Sequence, residues 1–242
     1  MFASFRLPSV LITGASRGIG AAAARRFAAE GYDLQLVSRP SSDFDVLHQE
    51  LQAAGHPVDR LAFDLAAASS LAPTLLDFCG RVGCPDVEIN NAGSAYTGSL
   101  SEMPLEQWQA LMQLNLTAVF QVCQALVPLM RVKGGGRVIN VSSHASRNAF
   151  PQWGAYCVSK AALAAFSRCL ACEEQANGIH VSTLTLGAVN TPLWDSESVH
   201  SSFDRHAMLE AGRAADALLY LAQQPATQVV EDLTLMPAAG VL

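Results

Sequence analysis

The sequence has little charge, few aromatic side chains and no excess of basic residues. Charged residues make up 15% of its 242 positions and aromatic residues 7%, and the formal net charge is -6 at pH 7. Because nucleic acids and anionic membranes repel an acidic protein, we expect neither as a partner. The chain also lacks an uninterrupted apolar run of about 18 residues, which a membrane-spanning helix requires.

Metal-site spacing is also absent, because no cysteine is paired with histidines. We therefore expect no metal ion. We also expect the thiols to be reduced and mostly buried. Cys169 and Cys172 lie three positions apart in a predicted helix, which leaves a redox pair open as the alternative. The cysteines are Cys79, Cys84, Cys123, Cys157, Cys169 and Cys172.

We expect no signal peptide, because the first strand-like run is already reached by Val10. We expect a cytoplasmic protein. Half of the residues (50%) are hydrophobic, which is enough to bury one sizeable core. The sequence shows no linker or repeat, so we expect a single domain over residues 1–242.

The apolar stretches alternate between short, β-rich runs and longer helical segments. This pattern predicts an α/β fold, a Rossmann-like doubly wound parallel sheet of about seven strands with helices on both faces in three layers. Strands are predicted at 9–13, 34–38, 58–64, 87–90, 137–141, 180–186 and 232–235. Helices are predicted at 18–30, from the capping residues 41–43 to Gly55, after a cap at Ser69 or Ser70, and at 104–132, 153–177 and 212–223.

Three glycines, Gly14, Gly18 and Gly20, connect the first strand to the first helix. Glycine permits a tight turn and lets backbone N–H groups face a pyrophosphate at a helix N-terminus. A structural turn is the alternative, but the position at the start of a βαβ series favours a dinucleotide site. The predicted phosphate-binding residues are Gly14, Ser16, Arg17, Gly18, Ile19 and Gly20.

The end of the second strand indicates which dinucleotide binds. Proteins that prefer NAD place an acidic residue there against the ribose 2'-hydroxyl, whereas this chain has Ser38 and Arg39. Together with Arg17, these side chains suit a 2'-phosphate, so we predict NADP(H) as the cofactor. Under the alternative interpretation, Arg17 and Arg39 are merely solvated surface charges.

Tyr156 and Lys160 are spaced i, i+4 in a predicted helix, which places the phenol and the ammonium on one face. A nearby ammonium favours the phenolate, so the pair predicts a proton-transfer site. Alone this spacing is weak, but Ser143 ends a strand shortly before it. Asn115 lies within a helix, where asparagine is unfavourable, so we expect its side chain to make a specific bond.

Taken in order, the glycine turn, the run from Asn90 to Gly93, Asn115, Ser143 and the Tyr156–Lys160 pair resemble the short-chain dehydrogenase/reductase family. The resemblance spans nearly the whole chain. It is strongest to compact members, with the 3-oxoacyl-carrier-protein reductases and related carbonyl reductases nearest in general pattern.

The resemblance implies Tyr156 as the acid/base, with Ser143 holding the substrate oxygen. Lys160 would contact both Tyr156 and the nicotinamide ribose, and Asn115 would hold a proton-relay water. The family pattern further implies cofactor contacts at the strand ends from Thr13, Asn91, Ala92, Gly93, Asp64, Leu65, Val189 and Thr191.

Two segments depart from the family pattern. Leu186 stands where many relatives have proline after the sixth strand, and residues 237–240 replace an acidic, double-glycine ending. Residues 191–208 predict a compact lid with Trp194 and Phe203. Pocket walls are expected between Ser143 and Tyr156, from His144, Phe150, Gln152 and Trp153, and from Arg147 if it is not a solvated loop arginine.

The sequence therefore predicts an NADP(H)-dependent reductase of a ketone, aldehyde or 3-oxoacyl group. The partner would be a small carbonyl or alcohol substrate or a carrier-bound acyl group, and the protein would form a homodimer or homotetramer. An NADP-linked alcohol, polyol or steroid dehydrogenase that works oxidatively is one alternative. A non-catalytic NADP-binding protein is the other.

Overall fold

The computed structural model describes residues 7–240, and its centre is a parallel seven-stranded sheet in the order β3-β2-β1-β4-β5-β6-β9. This confirms the predicted Rossmann-like fold. A separate two-stranded ribbon is formed by β7 and β8. The strands are β1 Ser9–Thr13, β2 Asp33–Ser38, β3 Val58–Ala62, β4 Val87–Asn90, β5 Gly136–Ser143, β6 Ile179–Leu186, β7 Val189–Asn190, β8 Leu209–Glu210 and β9 Asp232–Leu235.

Helices cover both faces of the sheet because successive strand side chains point to opposite faces. In β1, Ile12 packs with α1, α2 and α7, whereas its neighbour Leu11 packs with α3 and α5. The helices are α1 Gly18–Ala29, α2 Ser42–Ala53, α3 Ala68–Val82, α4 Leu105–Met112, α5 Ala118–Lys133, α6 Gly154–Glu174 and α7 Ala211–Ala222.

Helix starts agree with the predicted caps in one case and differ in another. Ser41 caps α2, since its side chain accepts a hydrogen bond from the Phe44 N–H at 3.2 Å. The predicted cap at Ser69 or Ser70 is wrong, because α3 already begins at Ala68. Asp64 causes the earlier start, since its carboxylate accepts from the Ala66 N–H at 3.0 Å and turns the chain there.

The predicted long helix at 104–132 is interrupted in its middle. A π-helical turn, Gln113–Thr117, joins α4 to α5 and contains Asn115. Such turns are frequent at functional sites.

Two helical stretches, Leu105–Lys133 and Gly154–Asn177, are long and apolar enough to cross a membrane by length and composition alone. Within their most apolar windows, 50% and 33% of the residues are buried in the protein. Leu126 and Leu163 from these stretches lie in the core beside the sheet. Core helices of α/β domains have the same composition, so these stretches are weak indications of a membrane span.

The prediction of mostly buried cysteines is wrong. Cys79 and Cys123 are buried in the core, but the two cysteines of the suggested redox pair are exposed, because they lie on the outer face of α6. All six are free thiols, with Cys79 and Cys123 buried, Cys84 and Cys157 half-buried, and Cys169 and Cys172 exposed.

A buried carboxyl group, Glu88 of β4, lies in the centre of the sheet. Its Oε1 accepts hydrogen bonds from Asn90 Nδ2 at 2.6 Å and Cys123 Sγ at 3.2 Å, while Oε2 has no hydrogen-bond partner among the described residues. Burial raises the pKa of Glu88 to about 7, although the bonds from Asn90 and Cys123 act in the opposite direction. Near neutral pH the protein therefore holds a partly protonated glutamic acid in its core.

Glu88→Gln is expected to change how stability depends on pH. Between the ordinary pKa of 4.5 and about 7 the folded protein keeps a proton that the unfolded chain releases, so its free energy of unfolding falls as pH rises. The glutamine variant lacks this fall and is expected to be more stable at pH 8 by up to about 3 kcal/mol. Urea denaturation at pH 5 and pH 8 measures the difference.

The exposed Glu102 provides a matched control. Glu102→Gln is expected to leave the pH slope of wild type unchanged. Identical slopes for wild type and Glu88→Gln would contradict the protonated state of Glu88.

Candidate active site

A cleft of about 590 Å³ opens at the carboxyl edge of the sheet, where the strand order reverses between β1 and β4. Reversal points of this kind form a crevice because the connections leave in opposite directions. Thr13, Gly20 and Asn115 lie outside the wall of the cleft. The other predicted site residues line it: Gly14, Ser16, Arg17, Gly18, Ile19, Ser38, Arg39, Asp64, Leu65, Asn91, Ala92, Gly93, Ser143, Tyr156, Lys160, Val189 and Thr191.

The glycine turn forms one end of the cleft, and two of its glycines have no room for a side chain. Gly14 has a φ of +67°, and a Cβ atom there would lie 2.8 Å from Ala92 Cα. A Cβ atom at Gly20 would lie 2.2 Å from the Gly14 carbonyl oxygen. Arg17 stands at the N-cap of α1 without capping it through its side chain, so the N–H groups of the first turn remain available for an anion.

Thr13 fastens the end of β1 to the loop after β4. Its Oγ1 donates to the Ile89 carbonyl at 3.2 Å and accepts from the N–H groups of Asn91 at 3.0 Å and Ala92 at 3.1 Å. Asn91 Nδ2 in turn donates to the Thr13 carbonyl at 3.0 Å. These bonds hold both walls of the crevice at a fixed separation.

The residues predicted for a 2'-phosphate meet at the end of β2. Ser38 is buried at the strand end, while Arg17 and Arg39 are exposed and face the cleft. Within residues 7–240, neither guanidinium forms an ion pair with a carboxylate. Both are therefore available to a negatively charged ligand group.

Ser143, Tyr156 and Lys160 come together at the other end of the cleft. Ser143 ends β5, and its hydroxyl accepts from the Ala145 N–H at 3.2 Å and hydrogen-bonds with Tyr156. Lys160 Nζ lies 5.9 Å from the Tyr156 ring centre and donates to the Val141 carbonyl at 2.9 Å. This arrangement places a hydroxyl, a phenol and an ammonium around one point.

The electrostatics of this group differ from the sequence expectation. Burial raises the pKa of Tyr156, and the Ser143 hydrogen bond acts in the opposite direction. The predicted lowering of this pKa by Lys160 is wrong for this structure, because the ammonium faces the Val141 carbonyl. Burial also lowers the pKa of Lys160 to about 8, so its charge is itself weakened at mildly basic pH.

The Asn115 side chain makes the specific bonds expected of a mid-helix asparagine. Its Oδ1 accepts from the Ser94 N–H at 2.9 Å, and its Nδ2 donates to the Ser94 carbonyl at 2.9 Å and Ser159 Oγ at 3.0 Å. A Cβ atom at Gly93 would lie 3.2 Å from Asn115 Oδ1 and 3.7 Å from Lys160 Nζ. Asn115 thus fixes the loop after β4 beside the lysine.

The two departures from the family pattern pack against each other. The Gly187 N–H donates to the Leu235 carbonyl at 2.9 Å, and a Cβ atom at Gly187 would lie 2.5 Å from Pro237 Cδ. The neighbouring Leu186 and Met236 line the cleft. The altered C-terminal segment therefore supports the wall that contains Val189.

The walls between Ser143 and Tyr156 are mixed. His144, Phe150 and Trp153 line the cleft as expected. Gln152 and Arg147 are not among the lining residues. Arg147 instead forms an ion pair with Asp232 at 2.6 Å, so it is neither a pocket residue nor a freely solvated arginine.

Sequence reasoning missed several lining residues, since they carry no charge and match no motif. Met236 could have been found from its position directly after β9, and Tyr96 from its place in the loop that follows β4, whereas helix residues such as Leu111 gave no signal. The missed residues include Phe63, Ala95, Tyr96, Leu111, Leu114, Leu193 and Met236.

A family model described as short chain dehydrogenase matches residues 8–201 of the chain. D-threitol dehydrogenase from Mycolicibacterium smegmatis is 32% identical over 197 residues, which cover 79% of this chain and 76% of that protein.

Two solved structures share both the fold and part of the sequence. One is an alcohol dehydrogenase from Thermococcus sibiricus complexed with 5-hydroxy-NADP, with a TM-score of 0.86 and 29% identity over 96% of this chain and 97% of that chain. The other is L-sorbose reductase from Gluconobacter frateurii, complexed with NADPH and L-sorbose. Its TM-score is 0.86, with 29% identity over 98% of this chain and 97% of that chain. The predicted family is confirmed, and the chain belongs to the short-chain dehydrogenases.

Proposed function

We propose that the protein is an NADP(H)-dependent oxidoreductase, contained in one domain over residues 1–242, that reduces a carbonyl group to an alcohol. The observation that carries this proposal is the shared cleft, in which Ser143, Tyr156 and Lys160 lie at one end and the glycine turn at the other. Relatives named as dehydrogenases confirm an enzyme that acts on CH–OH groups.

The residues of the cleft fit a dinucleotide with a 2'-phosphate. A Cβ atom at Gly14 would fill the space beside Ala92, so this cradle exists only with a bare backbone. The unpaired guanidinium groups of Arg17 and Arg39 and the Ser38 hydroxyl would hold the phosphate. NADP or NADPH is bound in solved structures of similar proteins, which confirms the predicted cofactor.

Bound NADPH supplies the hydride that reduces the substrate's carbonyl carbon. The Ser143 hydroxyl donates a hydrogen bond to the carbonyl oxygen, and Tyr156 gives its phenolic proton to the same oxygen as the alcohol forms. Lys160, whose Nζ lies 5.9 Å from the Tyr156 ring centre, would have to turn from the Val141 carbonyl to stabilise the resulting phenolate until a proton returns from solvent. One NADPH and one proton are consumed for each alcohol formed.

The protonated phenol of Tyr156 suits the acid role that reduction requires. Because burial raises its pKa, the phenol is protonated at neutral pH and is ready to act as an acid. Oxidation of an alcohol needs the phenolate instead. The second candidate function is the oxidative one, favoured by the relative named D-threitol dehydrogenase, which would make a polyol the substrate.

We propose a positioning role for Asn115 beside its suggested role in proton relay. Both donor hydrogens of its side chain are used by Ser94 and Ser159, so the side chain cannot donate to a water without losing one of these bonds. A relay water would have to bind an acceptor of this residue. The location of Asn115 in a π turn next to Lys160 suits the positioning role.

The predicted homodimer or homotetramer is also proposed. Exposed apolar side chains on neighbouring helices support it: Leu105 and Phe120 on the α4–α5 region and Val158 on α6. Phe120 lies 6.4 Å from Phe166, so these outer faces adjoin. Light scattering after size-exclusion chromatography measures the oligomeric state.

We also propose a cytoplasmic location and a substrate that is either a small molecule or an acyl group on a carrier.

Tyr156→Phe is expected to lower kcat/KM for carbonyl reduction by roughly 10²- to 10⁴-fold, because the ring remains but the proton donor is lost. NADPH oxidation followed by absorbance is the assay, and NADPH binding is expected to persist. Tyr220→Phe, at an exposed position of α7, is the matched control and is expected to keep wild-type activity. Near-normal turnover by Tyr156→Phe would exclude this residue as the acid.

Arg39→Ala is expected to raise the KM for NADPH roughly 10-fold or more and to leave the KM for NADH nearly unchanged, since a charged hydrogen bond to the 2'-phosphate is removed. Initial rates with the two cofactors test this. Arg213→Ala, at an exposed arginine of α7, serves as control. An equal rise for both cofactors would argue against a 2'-phosphate contact.

Lys160→Met is expected to abolish most activity while making the protein more stable. The pKa of about 8, against an ordinary 10.5, means that below pH 8 folding must bury a charge. The free energy of unfolding of wild type therefore rises with pH between about 8 and 10.5, and the methionine variant lacks this rise. At pH 7 the variant gains about 1–3 kcal/mol, measured by urea denaturation.

Lys133→Met is the contrasting control, since Lys133 is paired with Asp86 and its replacement is expected to lower stability. A destabilised Lys160→Met would mean that the bond to the Val141 carbonyl outweighs the burial of the ammonium.

A further inference from the structure

Four aromatic side chains form a continuous row from the catalytic tyrosine to the lid. The ring of Tyr156 lies 5.7 Å from Trp153, Trp153 lies 5.6 Å from Trp194, and Trp194 lies 5.7 Å from Phe203. Each contact is edge-to-face, with interplanar angles of 70°, 61° and 70°. We call this row the aromatic ladder, and all four side chains line the cleft.

The outer half of the ladder is fixed by hydrogen bonds. Trp194 Nε1 donates to the Val189 carbonyl at 2.8 Å. Farther along the lid, the Thr97 N–H donates to the Ser198 carbonyl at 2.9 Å, and Ser198 Oγ donates to the Ala95 carbonyl at 2.8 Å. The lid is thus fastened over the cleft, so a ligand meets a preformed aromatic wall.

The inner half is fixed through a strained backbone. Gln152, just before Trp153, has a φ of +66°, a left-handed conformation that side chains other than glycine rarely adopt. Its carbonyl accepts from the Gly98 N–H at 2.8 Å, and the Trp153 N–H donates to the Phe150 carbonyl at 3.1 Å. Strain of this kind persists where the surroundings enforce it, and here it sets the position of Trp153.

The arginines and the carboxylate that line the cleft lie away from the ladder, whereas Lys160 Nζ lies 5.9 Å from the ring centre of its first member, Tyr156. Among the described residues that line the cleft, Arg17, Arg39 and Asp64 are at the cofactor end, and Lys160 is held by the Val141 carbonyl. Around the ladder most of the further walls are aromatic or apolar, and the polar exceptions include His144, Ser196 and Ser198. The aromatic and apolar walls come from Tyr96, Leu111, Leu114, Phe150 and Leu193. Among the described residues, a substrate with a carboxylate or phosphate would find no arginine in this wall.

We propose that the substrate is an uncharged aryl ketone or aryl aldehyde whose ring packs on the aromatic ladder. The inference rests on the proposed function, because it places the carbonyl oxygen at Ser143 and Tyr156. Trp153 adjoins Tyr156, so a ring bonded directly to the carbonyl carbon lies against this indole. Edge-to-face contacts with an aromatic ring are stronger than contacts with a saturated ring of similar size.

Three ketones of graded structure test this with NADPH and wild-type protein. Acetophenone is expected to give a kcat/KM roughly 50-fold above 2-butanone, since a phenyl group is buried. It is expected to exceed cyclohexyl methyl ketone roughly 5-fold, since that ring has a similar size but no π system. A preference for 2-butanone, an acetoacetyl thioester or, in the oxidative direction, D-threitol would overturn the inference and leave the oxidoreductase function intact.

A ladder variant separates substrate recognition from general damage. Phe203→Leu is expected to raise the KM for acetophenone roughly 10-fold, with 2-butanone changed less than about 2-fold. Phe203→Leu keeps the Trp194 bond to Val189, so it reports on the ring alone. Tyr220→Leu, remote from the cleft, is the control. Equal losses with both ketones would show that the ladder only supports the lid.

A binding measurement distinguishes failure of the inference from failure of the proposed function. If no compound turns over, the alcohol 1-phenylethanol is titrated into the protein mixed with NADPH, and tryptophan fluorescence is followed. If quenching is saturable and Phe203→Leu lowers the affinity for 1-phenylethanol roughly 10-fold, the ladder recognises an aromatic ring although the proposed reaction does not occur. Absence of saturable binding would overturn the inference.

Discussion

The close contact between the glycine turn and the loop after β4 is the constraint on which the rest of the site depends. Gly14 approaches Ala92 so closely that a Cβ atom would lie 2.8 Å from Ala92 Cα, and Thr13 bonds the two strand ends together. With no side chain between them, the crevice at the reversal of strand order is lined by backbone amides. The neighbouring strand β5 then brings Ser143 to the same edge, and α6 brings Tyr156.

The site contains features that reduce stability and serve chemistry. Lys160 is buried with a lowered pKa, Asn115 sits in a π turn, and Gln152 has a positive φ. Each feature lowers the free energy of unfolding, and burial of the large hydrophobic core offsets this loss. Their concentration around Tyr156, while the distant edges of the sheet are regular, is what a functional site would show. Glu88 is the exception, since it lies in the core of β4 rather than in the cleft.

Much of the fold followed from the sequence because βαβ units carry local signals. The alternation of short and long apolar runs predicted the sheet, and the range predicted for the last strand equals Asp232–Leu235. The position of the glycine turn could be predicted because strand, turn and helix adjoin in the chain. The carboxyl-edge placement of Ser143 and Tyr156 also followed, because parallel strands end at one edge.

The remaining features depend on contacts between distant residues. Neighbouring elements set the π turn at Asn115 and the direction of Lys160 toward Val141. Spacing alone predicted that the Lys160 ammonium acts on Tyr156, whereas in the structure it donates to the Val141 carbonyl. The two tryptophans of the ladder lie far apart in sequence and meet only because the lid folds over the cleft. Hydrophobic patterning gives no signal for such a meeting.

In the proposed function, one cleft holds the 2'-phosphate at the arginines and the reacting carbon at the tyrosine. A crystal structure of the protein with NADPH would test this arrangement. We expect the 2'-phosphate between Arg17 and Arg39, the pyrophosphate on the first turn of α1, and the nicotinamide beside Val189 with its C4 atom facing the space next to Tyr156. A cofactor bound elsewhere, or a nicotinamide turned away from Tyr156, would contradict it.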